Sequence, residues 1–251
     1  MTQRLWCRTA AAGLLLLAGI AAPARASEGP AAKSAKQTPP AKADRWEPAI
    51  RAFEAKDRTQ APAKGGIVFV GSSSIVRWDL PKSFPGLDAI NRGFGGSQLA
   101  DSVRYAHRIV IPHQPRAVVL YAGDNDLASG KTPQQVFDDY RRFVAKIHAA
   151  LPRARILYIA IKPSKARWKL IDKIRAANRL IADFAAKDPR LVFIDVERPM
   201  LGADGKPRPE LFMPDGLHLN AEGYRLWAGL VGPHLKEENP HGVQANPHAG
   251  R

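Results

Sequence analysis

Asp215-Gly216-Leu217-His218 sets a carboxylate three residues ahead of an imidazole. At that spacing the acid can bond one ring nitrogen while the other faces a nucleophile. The remaining histidines are worse placed: His107 and His148 fall inside helical stretches, His113 in a connector, His234 at a helix end, and His241 and His248 in the tail. Three other polar clusters come earlier in the chain. Gly71-Ser72-Ser73-Ser74 offers hydroxyls at a turn. A hydroxyl there can be aimed outward, close to helix-terminal N–H donors, although serine runs also serve as plain caps. Gly93-Phe94-Gly95-Gly96 lets the backbone turn tightly and bring N–H groups up to a ligand, or is simply a flexible turn. It lacks both the GxGxxG spacing and the lysine of phosphate-binding loops. Gly123-Asp124-Asn125-Asp126 reads three ways: a divalent-metal site, a turn, or an edge where Asn125 offers side-chain N–H donors.

These clusters need elements to bring them together. Apolar runs at 67–70, 87–90, 117–121, 156–161 and 191–196 are short and apolar on both faces, as suits strands buried between helix layers. Helix-period stretches at 46–56, 99–110, 132–151, 167–187 and 220–235 alternate with them. In the third of these Thr132 is the N-cap, Pro133 the first helical residue and Gln135 the far side of a capping box. Such alternation predicts a parallel sheet with right-handed crossovers and helices on both faces. Sites in such sheets lie at the carboxyl ends of the strands, and all four clusters fall in loops expected at or near that edge.

The chain has 251 residues, 45% of them hydrophobic and 24% charged, which is the composition of one globular domain. Its single cysteine, Cys7, excludes a disulfide framework and a Cys-ligated zinc site. Residues 1–26 read as a signal peptide: Arg4 and Arg8 precede an apolar stretch at 10–22, and Ala24-Arg25-Ala26 is a small-x-small cleavage site. That stretch is too short to span a bilayer, so no stable membrane insertion is expected after cleavage. Residues 27–43 are an Ala/Lys/Pro-rich linker, 44–235 the folded domain and 236–251 a tail. Cleavage removes three arginines and no acid, taking the net charge from +15 to +12. So basic a chain invites a nucleic-acid reading. The expected export and the dispersal of Lys and Arg without interleaved aromatics argue against it.

Taken in order, hydroxyl cluster, glycine loop, Asn125 loop and Asp–His pair, the arrangement resembles the GDSL or SGNH hydrolase superfamily. The resemblance spans residues 65–232 and implies a three-layer α/β/α sandwich with a flavodoxin-like five-stranded sheet in the order 2-1-3-4-5. It also implies that Ser73 is the nucleophile, by its place two residues after Gly71, and that Asp215 and His218 complete the triad. The Ser73 and Gly96 N–H groups and the Asn125 side chain become the oxyanion donors. Where the family has Asp before its nucleophile this chain has Ser72, a change not expected to abolish catalysis.

The implied activity is a serine esterase or acylhydrolase that needs no metal and no cofactor. Its expected substrate is a small-molecule or glycan ester with a small acyl group, such as acetyl. Arg77, Trp78, Lys162 and Trp168 follow strands one and four and are the candidate substrate contacts, with a core role as the other reading of the tryptophans. An acyltransferase using the same serine, and a catalytically silent binder of an anionic polymer or carbohydrate, are the alternatives. Export places the protein in the periplasm or outside the cell.

Overall fold

Ile67 and Phe69 alternate with Val68 and Val70 along the first strand, and all four are buried, so this strand must be covered on both faces. The structure is a computed structural model describing residues 44–236. The expected signal peptide, linker and tail lie outside the described residues, save Lys236, which closes the last helix.

Five strands, β1 (Ile67–Gly71), β2 (Ala89–Gly93), β3 (Ala117–Tyr121), β4 (Arg155–Ile159) and β5 (Leu191–Ile194), pair in parallel in the order β2-β1-β3-β4-β5. One face carries Val68, Val70, Val118, Leu120, Ile156 and Tyr158. It packs on α1 (Glu47–Thr59), α4 (Leu99–Ile109), α6 (Pro133–Ala150) and α7 (Ile171–Ala185). The other face carries Phe69, Val119, Tyr121 and Leu157 and packs mainly on α9 (Ala221–Lys236), through Trp227, Val231 and Leu235. The short helices α2 (Ser73–Val76), α3 (Leu80–Ser83), α5 (Asp124–Ala128) and α8 (Glu197–Met200) follow β1, α2, β3 and β5 respectively. The capping box of α6 forms: Thr132 Oγ1 accepts the Gln135 N–H at 3.2 Å, and Gln135 Oε1 accepts the Thr132 N–H at 2.9 Å.

β2 starts at Ala89 rather than 87, β4 ends at Ile159 rather than 161 and β5 at Ile194 rather than 196; two further boundaries differ from the sequence expectation for physical reasons. β2 runs to Gly93 and so includes polar Asn91 and Arg92. As an edge strand it tolerates them, and Arg92 is neutralised by Asp57. The helix expected from 167 starts at Ile171, after a 3-10 turn over Lys165–Leu170 in which Arg167 leaves helical geometry (φ −118°, ψ 18°). Its side chain turns instead toward Asp124 and Asn125.

Register positions the site. Gly71, at the end of β1, lies level with Gly93 of β2 on one side and Tyr121 of β3 on the other. Three neighbouring strands thus stop at the same height, and their following loops carry Ser73, Gly96 and Asn125.

Candidate active site

The turn that presents Ser73 depends on Gly71. Its φ is +139°, and a Cβ there would sit 1.9 Å from the Tyr121 carbonyl oxygen. Only glycine lets β1 end this close to β3 and swing into α2. The three serines then part company: Ser72 and Ser74 are buried, while Ser73 is partly open. Ser74 Oγ accepts from Lys162 Nζ at 3.3 Å, and Ser72 Oγ has no hydrogen-bond partner among the described residues. Asn91 braces the turn from β2, its amide donating to the Ile75 carbonyl at 2.6 Å. From α9, Tyr224 Oη donates to the Ser74 carbonyl at 2.9 Å.

The segment between α8 and α9 folds back through an antiparallel bridge, Phe212 to Leu219, and the Met213 N–H bonds the His218 carbonyl at 2.7 Å. This closed loop delivers His218 Nε2 to 3.0 Å from Ser73 Oγ, across 145 residues of sequence. On the other side of the ring, Nδ1 lies 2.6 Å from Asp215 Oδ2. An ionised carboxylate only accepts, so Nδ1 carries the proton and Nε2 is left to accept from the serine hydroxyl. Asp215 Oδ1 also accepts the N–H groups of Leu217 and His218, both at 2.9 Å. The bond from the imidazole, then those from the backbone, hold the Asp215 carboxyl well below the usual carboxylate range.

Beside this chain lie the two other loops. Gly96 adopts φ +74°. Its carbonyl accepts from Arg45 Nη2 at 2.8 Å, and the Gly95 carbonyl accepts from Trp46 Nε1 at 3.1 Å. The Gly96 N–H has no acceptor among the described residues. Asn125, at the start of α5, donates through Nδ2 to the Ser97 carbonyl at 3.0 Å, which joins the two loops. Hydroxyl, imidazole and carboxylate thus stand in line at the sheet edge where the Gly96 and Asn125 loops also begin, an arrangement suited to acyl transfer.

Asp124 and Asp126 are engaged by cations of the chain itself. Asp126 faces Lys131 at 2.8 Å, and Asp124 faces Arg167 at 2.7 Å and Lys162 at 3.6 Å. Among the described residues no three His, Cys, Asp or Glu side chains gather as a metal site.

The four candidate substrate contacts divide. Arg77 is exposed, on the wall of a cleft of about 570 Å³ shared with Met213, Leu219 and Tyr224. Trp168 is half-buried beneath Lys206, whose Nζ is 4.6 Å from the ring centre. Trp78 and Lys162 require correction as pocket-lining residues. Trp78 is 3% exposed, packed between Phe69, Phe84, Tyr224 and Trp227 at 5.4–5.6 Å. Lys162 is 1% exposed, its ammonium turned inward to Tyr121 Oη at 2.9 Å. Both follow strand ends, but the chain folds their side chains beneath the surface. Sequence reasoning missed Arg167, which sits in the same loop as Lys162 and Trp168. The rule that sites follow strand ends flagged this segment, but not which of its side chains turns inward.

The strand order and the hydrogen-bonded Ser73–His218–Asp215 chain at the carboxyl edge of the sheet fit a hydrolytic enzyme. The match is specific: the chain is a member of the GDSL-like lipase/acylhydrolase family, which it matches over residues 70–226, and is an ester-bond hydrolase. Among solved structures, a GDSL-like lipase from Bacteroides thetaiotaomicron shares the fold with a TM-score of 0.63 at 21% identity, over 74% of this chain and 96% of that one. A catalytic mutant of an acetylxylan esterase from Geobacillus stearothermophilus does so at 0.56 and 14%, over 70% and 96%. A carbohydrate esterase family 3 protein from Talaromyces cellulolyticus does so at 0.54 and 20%, over 68% and 96%. No curated protein matches the sequence.

Proposed function

We propose that the protein is a serine esterase that removes a small acyl group, such as acetyl on a carbohydrate, through an acyl-enzyme on Ser73. The observation that carries this reading is the continuous Ser73–His218–Asp215 hydrogen-bond chain, with links of 3.0 and 2.6 Å. His218 Nε2 takes the hydroxyl proton as Ser73 Oγ attacks the acyl carbon, and then returns it to the leaving alcohol. Asp215 holds the imidazole in the productive tautomer and stabilises its charged form. Water, deprotonated by the same imidazole, then releases the acid and restores Ser73. The N–H groups of Ser73 and Gly96 and the remaining Asn125 side-chain hydrogen meet the oxyanion, at about 3 kcal/mol of transition-state stabilisation per donor.

The small-acyl part of the reading rests on the short connections that follow β1 and β3 at the Ser73 edge, where α2 starts at Ser73 and α5 at Asp124. The carbohydrate part rests on the acetylxylan and carbohydrate esterases that share the fold. We place the alcohol portion on the α2 side of Ser73, with the exposed Arg77 as its contact. Residues 1–26 support export, so we place the reaction outside the cytoplasm. Among the described residues no helix is long and apolar enough to cross a membrane.

Turnover of p-nitrophenyl acetate, butyrate and octanoate, followed by acetate release from acetylated xylooligosaccharides, tests the substrate. Turnover falling steadily with chain length is expected. A preference for octanoate would overturn the small-acyl reading, and inert esters throughout would overturn the esterase reading.

A further inference from the structure

Asn125 is held at both ends of its side-chain amide. Oδ1 accepts from Arg167 Nη2 at 2.8 Å, and Nδ2 donates to the Ser97 carbonyl at 3.0 Å. A guanidinium only donates and a carbonyl only accepts, so the amide has one allowed orientation and cannot flip. One Nδ2 hydrogen goes to Ser97, and the second remains for a ligand.

The guanidinium has its own anchor. Its Nη1 lies 2.7 Å from Asp124 Oδ2, and the same carboxylate oxygen lies 3.6 Å from Lys162 Nζ. Asp124 and Lys162 are buried and Arg167 nearly so. Lys162 reaches on to Tyr121 Oη and to Ser74 Oγ, the residue after Ser73. One carboxylate is thus shared by two cations. Burying such an imbalance costs desolvation energy, and a hydrophobic residue of similar shape would fill the space at lower cost. The guanidinium of this cluster is the group that bonds the Asn125 amide oxygen.

We propose that Arg167, anchored by the buried Asp124–Lys162 pair, is the positioning residue for Asn125, fixing its amide and strengthening its free N–H as a donor to the oxyanion. This rests on the esterase reading and on Asn125 as an oxyanion donor. A guanidinium bonded to the amide oxygen draws electron density from the nitrogen, so the remaining N–H becomes a better donor. Because Lys162 ties the same cluster to Ser74, the nucleophile turn and the donor share one rigid support.

The test is a double-mutant cycle on p-nitrophenyl acetate, with Arg167→Met, Asn125→Ala and their combination, and with Arg167→Lys as the conservative variant. Arg167→Met is expected to lower kcat roughly 10- to 100-fold, the scale of a small misplacement of a catalytic group, with KM nearly unchanged. Arg167→Lys should recover part of the loss, and the double variant should be no slower than Asn125→Ala alone. A raised KM with kcat retained, or losses in the double variant that multiply, would overturn the proposal by making Arg167 an independent substrate contact. Wild-type kcat in Arg167→Met beside a slow Asn125→Ala overturns it while leaving the oxyanion assignment intact. Wild-type kcat in Asn125→Ala overturns both. If Arg167→Met unfolds, Arg167→Lys carries the same cycle with Asn125→Ala.

Discussion

Asp215 and Asp124 serve the same sheet edge in opposite surroundings. Asp215 is 49% exposed and bonds one imidazole and two backbone N–H groups of its own loop. Asp124 is 7% exposed and lies between Lys162 and Arg167, which come from the loop after β4. The contrast follows from what each partner must do. In the proposed mechanism His218 gains and loses a proton in every cycle, so its surroundings must reorganise at little cost, and a hydrated carboxylate permits that. Lys162 and Arg167 have no proton to transfer and serve by staying still. Burial suits them because it makes each interaction stronger and each displacement more costly. Burial, partly offset by Asp124, also pushes the Lys162 ammonium below its ordinary value.

The largest test of this contrast is at the hydroxyl. Ser73→Ala should lower kcat by roughly four to six orders of magnitude, while Ser72→Ala and Ser74→Ala retain most of the activity in p-nitrophenyl acetate assays. An essential Ser72 or Ser74 would move the nucleophile by one position and detach it from His218.

The two carboxylates should then fail differently. Asp215→Asn is expected to cost about 10⁴-fold in kcat, because the imidazole loses its tautomer, with the urea midpoint unchanged, as for an exposed pair. Asp124→Asn leaves Lys162 and Arg167 buried without an anion and should cost about 3–5 kcal/mol of stability. A stable Asp124→Asn or an unfolded Asp215→Asn would dissolve the contrast. The pH profile sharpens it. Because the folded Asp215 is held low, its bond to His218 is lost only as pH falls through that depressed value. The acid limb of kcat should therefore carry no carboxyl step in the ordinary Asp range, and such a step would contradict the contrast.

Two neighbours in sequence give a smaller version of the same division. Trp78→Ala should destabilise the fold by about 3–5 kcal/mol, measured by denaturant unfolding. Arg77→Ala should leave stability within about 0.5 kcal/mol and change only KM for the bulkier esters. At the bottom of the scale, chelation should leave the rate untouched. Loss on adding EDTA, restored by a divalent ion, would return Asp124 and Asp126 to the metal reading.

Features carried by local spacing were legible in the sequence. The alternating apolar runs of the strands, the Thr132/Gln135 capping box and the three-residue step from Asp215 to His218 need only their own segment to form, so pattern alone marks them. The apolar pattern places edge strand β2 at 87–90 instead of 89–93, because the polar Asn91 and Arg92 end the apolar run while still fitting an edge strand. Which side chains turn inward depended on partners far away in the chain. Nothing within the segment 162–168 distinguishes Lys162 and Arg167 from their exposed neighbour Lys165. Their direction is set by Asp124 and Asn125, about 40 residues earlier, which the parallel β3–β4 pairing brings alongside. The same holds for Asn91 beneath the Ser73 turn and for Trp78 beneath α9. Sequence by itself determined the order of the elements and the chemistry each loop could offer. Tertiary structure decided which charges are buried, because burial depends on all the segments that close over a residue.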